Sequence, residues 1–191
     1  MTSSPNGPPR RSWLRASLPN LLSASRLALA PFVVRGILSG RLRQAFVLLM
    51  AAGLTDVLDG VLARWLQAAS RLGAYLDPVA DKVLLSATYL ALGLSGLLPW
   101  WLVATVFARD ILILAGALAV WLLKQRRDFP PSVWGKLCTF IQTLTGATVL
   151  LARAWPETGL EVCTPLLLWL TAAATLWSGL DYARRAVRQA R

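Results

Sequence analysis

The chain has 191 residues, of which 56% are hydrophobic and nine are tryptophan, and its formal net charge is +11 at pH 7. Residues 83–108, 137–152 and 162–180 carry no charge, and such runs approach the roughly 20 residues that a bilayer-crossing helix needs. This composition excludes an ordinary soluble domain and indicates an integral membrane protein, whose basic excess meets anionic lipid headgroups rather than nucleic acid.

Loop signals divide the chain into a disordered tail at 1–9 and a single membrane domain at 10–191. We expect an all-α membrane protein in which a short amphipathic interfacial helix over 10–18 precedes six transmembrane helices. Arg26 interrupts the first apolar run, so we interpret that run as a retained span rather than a cleaved signal peptide. The six spans are predicted at about 18–38, 43–66, 71–96, 98–123, 133–153 and 162–183.

The distribution of basic residues predicts the orientation in the membrane. Arginine and lysine outnumber acids at both chain ends and in the predicted loops near Arg64 and Arg127, which favours a cytoplasmic location for these segments. We therefore expect a multi-pass protein of the cell (inner) membrane with both termini in the cytoplasm. The first outer loop, with Arg41 and Arg43, runs against this pattern.

Three residue types limit the chemistry. Histidine is absent, which removes histidine as an acid, base or metal ligand. Cys138 and Cys163 fall within or beside predicted spans, so no disulfide framework is expected. Four of only nine acidic residues lie close together, as Asp56, Asp59, Asp77 and Asp81.

These four aspartates predict a shared site. On a helix, Asp56, Asp59 and Arg64 fall within an arc of about 140°. Asp77 and Asp81 are one turn apart on the next predicted helix, so antiparallel pairing of the two helices would bring the acids together. Carboxylates without histidine or cysteine suit Mg²⁺ or Mn²⁺, and four can hold two such ions about 3.5–4 Å apart, as in phosphoryl-transfer sites.

A purely structural role is the alternative, with the acids paired to Arg64, Arg71 and Lys82. Four charges within a bilayer would cost about 10 kcal/mol on insertion scales, which salt bridges alone explain poorly. Gly60 and Gly73 share the acids' faces, where they leave room for a ligand or permit close helix packing. Acids clustered in membrane spans also occur in cation- or proton-coupled transporters, which remain an alternative class.

The spacing Asp56-x2-Asp59-Gly60-x2-Ala63-Arg64-x8-Gly73-x3-Asp77-x3-Asp81 resembles the signature of the CDP-alcohol phosphatidyltransferases, with every fixed position filled. LPNLLSASR (18–26), ARD (108–110) and WGKLCTFIQ (134–142) resemble further landmarks of that family.

The resemblance implies transfer of a phosphatidyl group from CDP-diacylglycerol to an alcohol, with release of CMP by a homodimer. The four aspartates would hold two divalent ions, and Asp81 would also be the general base. The residues expected to bind CDP-diacylglycerol are Asn20, Ser23, Gly60, Ala63, Arg64, Ser70 and Gly73.

Three further cations, Arg26, Arg109 and Lys136, lie within or at the ends of spans. They either extend towards the interface or bind a phosphate on the acceptor. Glycerol 3-phosphate is the leading acceptor and would give phosphatidylglycerophosphate. Phosphatidylglycerol is the alternative and would give cardiolipin. Pro78 lies between two of the acids, and we expect one continuous helix across it because both acids must share a face.

Overall fold

The computed structural model describes the backbone of residues 10–66, 71–124 and 132–190, and the side chains of 24–55, 79–116, 118 and 132–185. Within these residues the protein is all-helical. Two short 3₁₀ helices, Pro156–Thr158 and Leu160–Cys163, connect the last two α-helices. The α-helices are α1 (Arg10–Leu38), α2 (Leu42–Leu66), α3 (Arg71–Leu94), α4 (Trp100–Lys124), α5 (Val133–Ala154) and α6 (Thr164–Ala190).

Each predicted span corresponds to one helix, and their bounds differ by at most two residues except at the start of α1 and the end of α6. The prediction of a separate interfacial helix over 10–18 was wrong, because α1 runs without a break from Arg10 to Leu38. An interior proline costs a helix about 3 kcal/mol, through a lost hydrogen bond and a clash with the carbonyl one turn earlier, but Pro19 lies among leucine, alanine and arginine, which favour helix. The continuity expected across Pro78 is confirmed in α3. The predicted tail, 1–9, lies outside the described residues.

Two hairpin turns share one geometry. Gly40 and Gly96 have φ of 71° and 69°, a left-handed conformation that glycine adopts without strain. In the first turn the Arg41 N–H donates to Gly36 O at 2.8 Å, and the Gly40 N–H donates to Ile37 O at 3.1 Å. This pair of hydrogen bonds is a Schellman cap. We call the end of the bundle that carries residues 39–41, 95–99 and 155–163 the turn end.

The helices pack around an apolar core. Helix α1 contacts α2 and α3, α6 contacts α4 and α5, and α2 contacts α5. Gly36 allows α1 and α2 to approach closely, since a Cβ built there would lie 3.1 Å from the Ala45 Cβ. The largest fully buried apolar side chains are those of Val33, Ile37, Tyr89, Leu92, Leu102, Val106, Val149 and Leu150.

Hydroxyl and amide groups join α5 to its neighbours. The Thr145 and Thr171 hydroxyls are 2.7 Å apart, and Gln142 Nε2 donates to Thr175 Oγ1 at 3.1 Å. The Tyr89 hydroxyl donates to the Gln142 backbone carbonyl at 2.9 Å. Interhelical hydrogen bonds of this kind stabilise helix pairs in apolar surroundings, where lipid offers no partner.

The outer surface suits lipid. Two of the described segments, Val133–Ala154 and Leu160–Arg185, are long and apolar enough to cross a membrane by length and composition. Many large apolar side chains on the described surface are exposed, among them Leu114, Leu166 and Trp169. Trp134 and Trp155 bracket α5 and are separated by 21 residues, about 31 Å of helix. That distance matches the ~30 Å hydrocarbon core, at whose edges tryptophan is enriched.

Replacing Gly36 with leucine should force α1 and α2 apart. We expect Gly36→Leu to destabilise the protein by about 1–3 kcal/mol, the usual cost of overpacking, seen as a lower midpoint of thermal unfolding in detergent. Gly53→Leu is the matched control, because a Cβ at Gly53 on α2 has no neighbour within 4 Å. Equal effects of the two substitutions would contradict the close approach at Gly36.

Candidate active site

The four predicted metal ligands lie on two helices, as expected. Asp56 and Asp59 belong to α2, and Asp77 and Asp81 belong to α3. The side chains of Asp56, Asp59 and Asp77 lie outside the described residues, so Asp81 is the member of the set whose surroundings the structure gives. Helix α1 packs against both helices that carry the motif.

Asp81 pairs with Arg26 of α1 through Nη1 and Oδ1. The Arg26 side chain is 1% exposed, whereas that of Asp81 is 44% exposed. The pair explains how α1 tolerates an arginine in its apolar length, because a buried guanidinium needs an acidic partner. It also fixes Asp81 at the boundary between the packed interior and open space, where a substrate can reach a carboxylate.

A second cluster begins one residue later. Lys82 pairs with Asp110 of α4, and Arg109 Nη1 donates to the same carboxylate at 3.0 Å. Arg109 also donates to Ser178 Oγ of α6, from Nη2 at 2.9 Å and from Nε at 3.3 Å. Arg109 is therefore buried and held between α4 and α6 in one orientation.

Tyr182 connects this cluster to the start of α5. Its ring lies beside Arg109, with the guanidinium carbon 5.7 Å from the ring centroid, a distance typical of cation–π contacts. Its hydroxyl accepts a 3.0 Å hydrogen bond from the Ser132 N–H. Gly135 makes room for this contact, since a Cβ built there would lie 2.7 Å from the Tyr182 hydroxyl.

The Ser132 hydroxyl is also committed to α6. Ser132 precedes α5 in the extended conformation of an N-cap, yet its side chain does not cap the helix. Instead the hydroxyl donates to Asp181 Oδ2, and Arg185 Nε donates to the same oxygen at 3.0 Å. We call these contacts the polar network, formed by Arg26, Asp81, Lys82, Arg109, Asp110, Ser132, Ser178, Asp181, Tyr182 and Arg185.

The three cations predicted to bind the acceptor meet this network differently. Arg26 and Arg109 are buried members of it, whereas the Lys136 side chain is exposed on the first turn of α5. Lys136 follows Gly135, which abuts Tyr182. Among the three, Lys136 is therefore the cation that is open to the surroundings.

The residues expected to bind CDP-diacylglycerol are placed only by their backbone. Asn20 and Ser23 lie in α1, and Gly73 lies in α3. Gly60, Ala63 and Arg64 lie in α2, and their side-chain positions are outside the described residues. Ser70 lies outside the described residues altogether.

No group of three or more acidic, histidine or cysteine side chains that could hold a metal ion occurs among the described side chains. Three of the four predicted ligands are outside that set, so the prediction of a metal pair stays a prediction. The donor chemistry fits a hard divalent cation, because Asp81 offers carboxylate oxygen and is well exposed.

Sequence reasoning missed Ser178, Asp181 and Tyr182. A weak signal was present, since Asp181 is one of nine acids and directly follows the charge-free run that ends at Leu180. An acid at the end of an apolar helix is expected to have a partner. The sequence carried no signal for the partner itself, because Ser132 is 49 residues away.

Gly135→Ala should displace Tyr182 and weaken the joint between α5 and α6. We expect a loss of about 1–3 kcal/mol from this overpacking, measured as a lower unfolding midpoint in detergent. Gly146→Ala on the same helix is the control, since its Cβ would lie 3.6 Å from Tyr89, an ordinary contact.

The double variant Gly135→Ala with Tyr182→Phe tests the cause. Removing the hydroxyl removes the atom nearest to the new Cβ. The loss of stability in the double variant should therefore be smaller than the sum of the losses in the two single variants. Full additivity would show that contact with the Tyr182 hydroxyl is not the cause of the loss in Gly135→Ala.

Comparison with known proteins identifies the fold's family. A family model described as CDP-alcohol phosphatidyltransferase matches residues 16–177. A Mycobacterium tuberculosis (strain H37Rv) protein with the provisional name of cardiolipin synthase is 36% identical over 171 residues, 87% of this chain and 81% of that protein. Another from that strain, provisionally a phosphatidylglycerophosphate synthase, is 32% identical over 180 residues, 91% of this chain and 83% of its own length.

A third relative is the CDP-diacylglycerol–glycerol-3-phosphate 3-phosphatidyltransferase of Aquifex aeolicus. It is 33% identical over 171 residues, which are 87% of this chain and 93% of that protein. The family model spans the helices that carry the acidic motif, and it ends at residue 177, just before the part of the polar network that lies on α6. The chain belongs to the CDP-alcohol phosphatidyltransferase family.

Proposed function

We propose that this transferase moves the phosphatidyl group of CDP-diacylglycerol to the primary hydroxyl of glycerol 3-phosphate, forming phosphatidylglycerophosphate and CMP. Membership of the family makes the chain a membrane enzyme of phospholipid biosynthesis. The observation that carries the proposal is the complete acidic motif on α2 and α3, whose last carboxylate, Asp81, is open on one side and fixed by Arg26 on the other.

In the proposed reaction, the oxygen of the acceptor hydroxyl attacks the phosphatidyl phosphorus while Asp81 accepts the proton of that hydroxyl. The bond from that phosphorus to the CMP oxygen breaks, and CMP leaves with the electron pair. Arg26 orients the Asp81 carboxylate for this role. Asp56, Asp59, Asp77 and Asp81 would hold two Mg²⁺ or Mn²⁺ ions, which neutralise the charge of the pyrophosphate when bound.

The nucleotide lipid would bind beside the acids. We propose that small residues leave room for the pyrophosphate and that Arg64 meets one of its oxygens. Helix α1 packs against the helices that carry these positions, which supports a contribution from its first half. The proposed set is Asn20, Ser23, Gly60, Ala63, Arg64, Ser70 and Gly73.

The three cations of the acceptor prediction support a phosphorylated acceptor. Arg26 and Arg109 are buried in the half of the bundle away from the turn end, and Lys136 is exposed in the same half. Cations of this kind bind the oxygens of a phosphate monoester such as glycerol 3-phosphate. We propose that Lys136 meets the phosphate first, and that Arg109 and Arg26 supply the field behind it.

Phosphatidylglycerol is the second candidate acceptor, because Lys136 stands among lipid-facing side chains. Val133, Leu137 and Phe140 are all exposed beside it on α5. A lipid headgroup could therefore reach Lys136 sideways from the bilayer, and its free glycerol hydroxyl resembles that of glycerol 3-phosphate. The relatives carry both names, cardiolipin synthase and phosphatidylglycerophosphate synthase.

The transporter alternative was wrong, because the family to which the chain belongs is one of transferases. The physical reason is that the acids serve a reaction at phosphorus, for which paired cations and a base are needed in one place. An ion pathway would instead need acids placed along the depth of the bundle.

The arrangement in the membrane is also part of the proposal. We propose six spans formed by the six α-helices, in the cell (inner) membrane, with both termini and the active site on the cytoplasmic side. The excess of basic residues at the chain ends supports this orientation. We propose further that the enzyme acts as a homodimer.

Release of CMP from CDP-diacylglycerol by purified protein tests the reaction. We expect release that requires Mg²⁺ or Mn²⁺ and glycerol 3-phosphate, and a loss of about a hundredfold or more in Asp81→Asn, the usual share of a general base. Glu157→Gln, an exposed acid at the turn end, should retain full activity.

The acceptors separate the outcomes. Release with phosphatidylglycerol alone would move the assignment to cardiolipin synthesis. Release with neither acceptor, from protein with a normal unfolding midpoint, would overturn the proposed function. Asp56→Asn provides a second inactive variant in which the Arg26–Asp81 pair is untouched.

Lys136→Gln should weaken acceptor binding while sparing the nucleotide lipid. Loss of one charge-assisted hydrogen bond to phosphate predicts a rise of about tenfold in the KM for the acceptor, with the KM for CDP-diacylglycerol unchanged. Arg184→Gln, an exposed cation on α6, is the matched control. Equal rises in both KM values for Lys136→Gln would show that the lysine does not act on the acceptor.

A further inference from the structure

The turn end carries a second basic surface, distant from the acidic motif. Two adjoining hollows open there, of about 400 Å³ and 230 Å³. They share Arg41 and Gln44 in their walls. Arg43 and Arg153 line the larger hollow, and Arg35 lines the smaller. We call this surface the arginine hollow.

The charge of the arginine hollow is poorly balanced. No acidic side chain lines either part of it, and among the described residues neither Arg35 nor Arg41 has an acid within ion-pair distance. The Arg153 Nη1 lies 3.7 Å from Glu161 Oε1, a long distance for an ion pair, and both side chains are more than half exposed. Such an exposed pair stabilises little, so most of the positive charge is available to a ligand.

Arg43 is held in place beside the larger hollow. Its Nε donates to the Ala154 carbonyl at 3.0 Å, and its guanidinium carbon lies 5.5 Å from the centroid of the Trp155 ring. The same ring makes an edge contact with Phe46 at 5.6 Å. These contacts orient the guanidinium before any ligand arrives, which lowers the entropy lost on binding.

The smaller hollow is amphipathic. Arg35 and Arg41 lie at its rim near the turn, and Phe32 and Leu48 form its other wall, one helical turn or more deeper in the bundle. Phe32 is 60% exposed. A free phosphate would use only the rim, whereas a phospholipid would place its phosphate at the rim and an acyl chain along Phe32 and Leu48.

We propose that the arginine hollow binds the phosphodiester headgroup of an anionic phospholipid in the leaflet at the turn end. This inference goes beyond the proposed function and needs neither the metal pair nor a particular acceptor. Guanidinium groups bind phosphate oxygens in pairs, and four arginines around two joined hollows exceed what one exposed glutamate neutralises. Arg41 and Arg43 lie in the first outer loop, where the cytoplasmic bias of basic residues does not predict them. Binding of an anionic lipid would account for their presence there.

Retention of lipid by the intact protein tests the proposal. The protein is taken from micelles that contain equal amounts of dioleoylphosphatidylglycerol and dioleoylphosphatidylcholine, and bound lipid is counted by native mass spectrometry. We expect saturable retention of phosphatidylglycerol, weakened about tenfold in Arg41→Gln, as the loss of one charge-assisted hydrogen bond predicts. Arg184→Gln should bind like the unaltered protein.

Two further arms separate the sources of the signal. Added inorganic phosphate should not displace the lipid, because it lacks an acyl chain, so displacement would overturn the choice of a lipid ligand. If Lys136→Gln abolishes retention and Arg41→Gln does not, the lipid occupies the acceptor site and the proposal fails. Equal retention of the two lipids would overturn it as well.

Arg41→Gln is also assayed for CMP release, which should stay unchanged because Arg41 is not part of the catalytic machinery. Normal release with weakened lipid retention supports a separate site. Loss of both, together with a lowered unfolding midpoint, would assign Arg41 to the fold, and Arg35→Gln, at the rim of the smaller hollow alone, then decides. Weakened lipid retention by Arg35→Gln with a normal midpoint supports the proposal, and normal retention overturns it.

Discussion

The pairing of Arg26 with Asp81 is the interaction on which the organisation of this bundle depends. A guanidinium that is 1% exposed inside an apolar bundle would be strongly destabilising without its acid. The pair joins α1 to α3 at the height of the acidic motif, so the helix that precedes the motif also holds its last residue. Because Asp81 neutralises the buried Arg26, its carboxylate is held where a substrate can reach it.

The same constraint extends through the polar network. Lys82 and Arg109 converge on Asp110, and Ser132 and Arg185 converge on Asp181. Each acid therefore serves two donors from different parts of the chain. Sharing each acid between two donors lets a bundle with few acids hold several cations, and the sharing draws α3, α4, α5 and α6 towards one region.

The helices were largely predictable from the sequence, because apolar runs end at Ser-Gly pairs that form the same cap at Gly40 and Gly96. The sequence did not predict that the basic segment 10–18 is continuous with α1. That segment suits either a surface helix or the start of a span. The acidic motif was readable because its spacing is local. Contacts such as Arg109 with Ser178 or Tyr182 with Ser132 join residues 69 and 50 positions apart, and no local pattern encodes such pairs.

The two cysteines differ in a way that has a practical consequence. Cys138 is buried between α5 and α6, 3.6 Å from the Thr175 hydroxyl, whereas Cys163 is exposed at the turn end. A polar thiol reagent that cannot cross a bilayer would therefore find one accessible sulfur on the natural chain. Its reaction with intact cells or with inverted vesicles would report which side of the membrane the turn end faces, without any engineered tag.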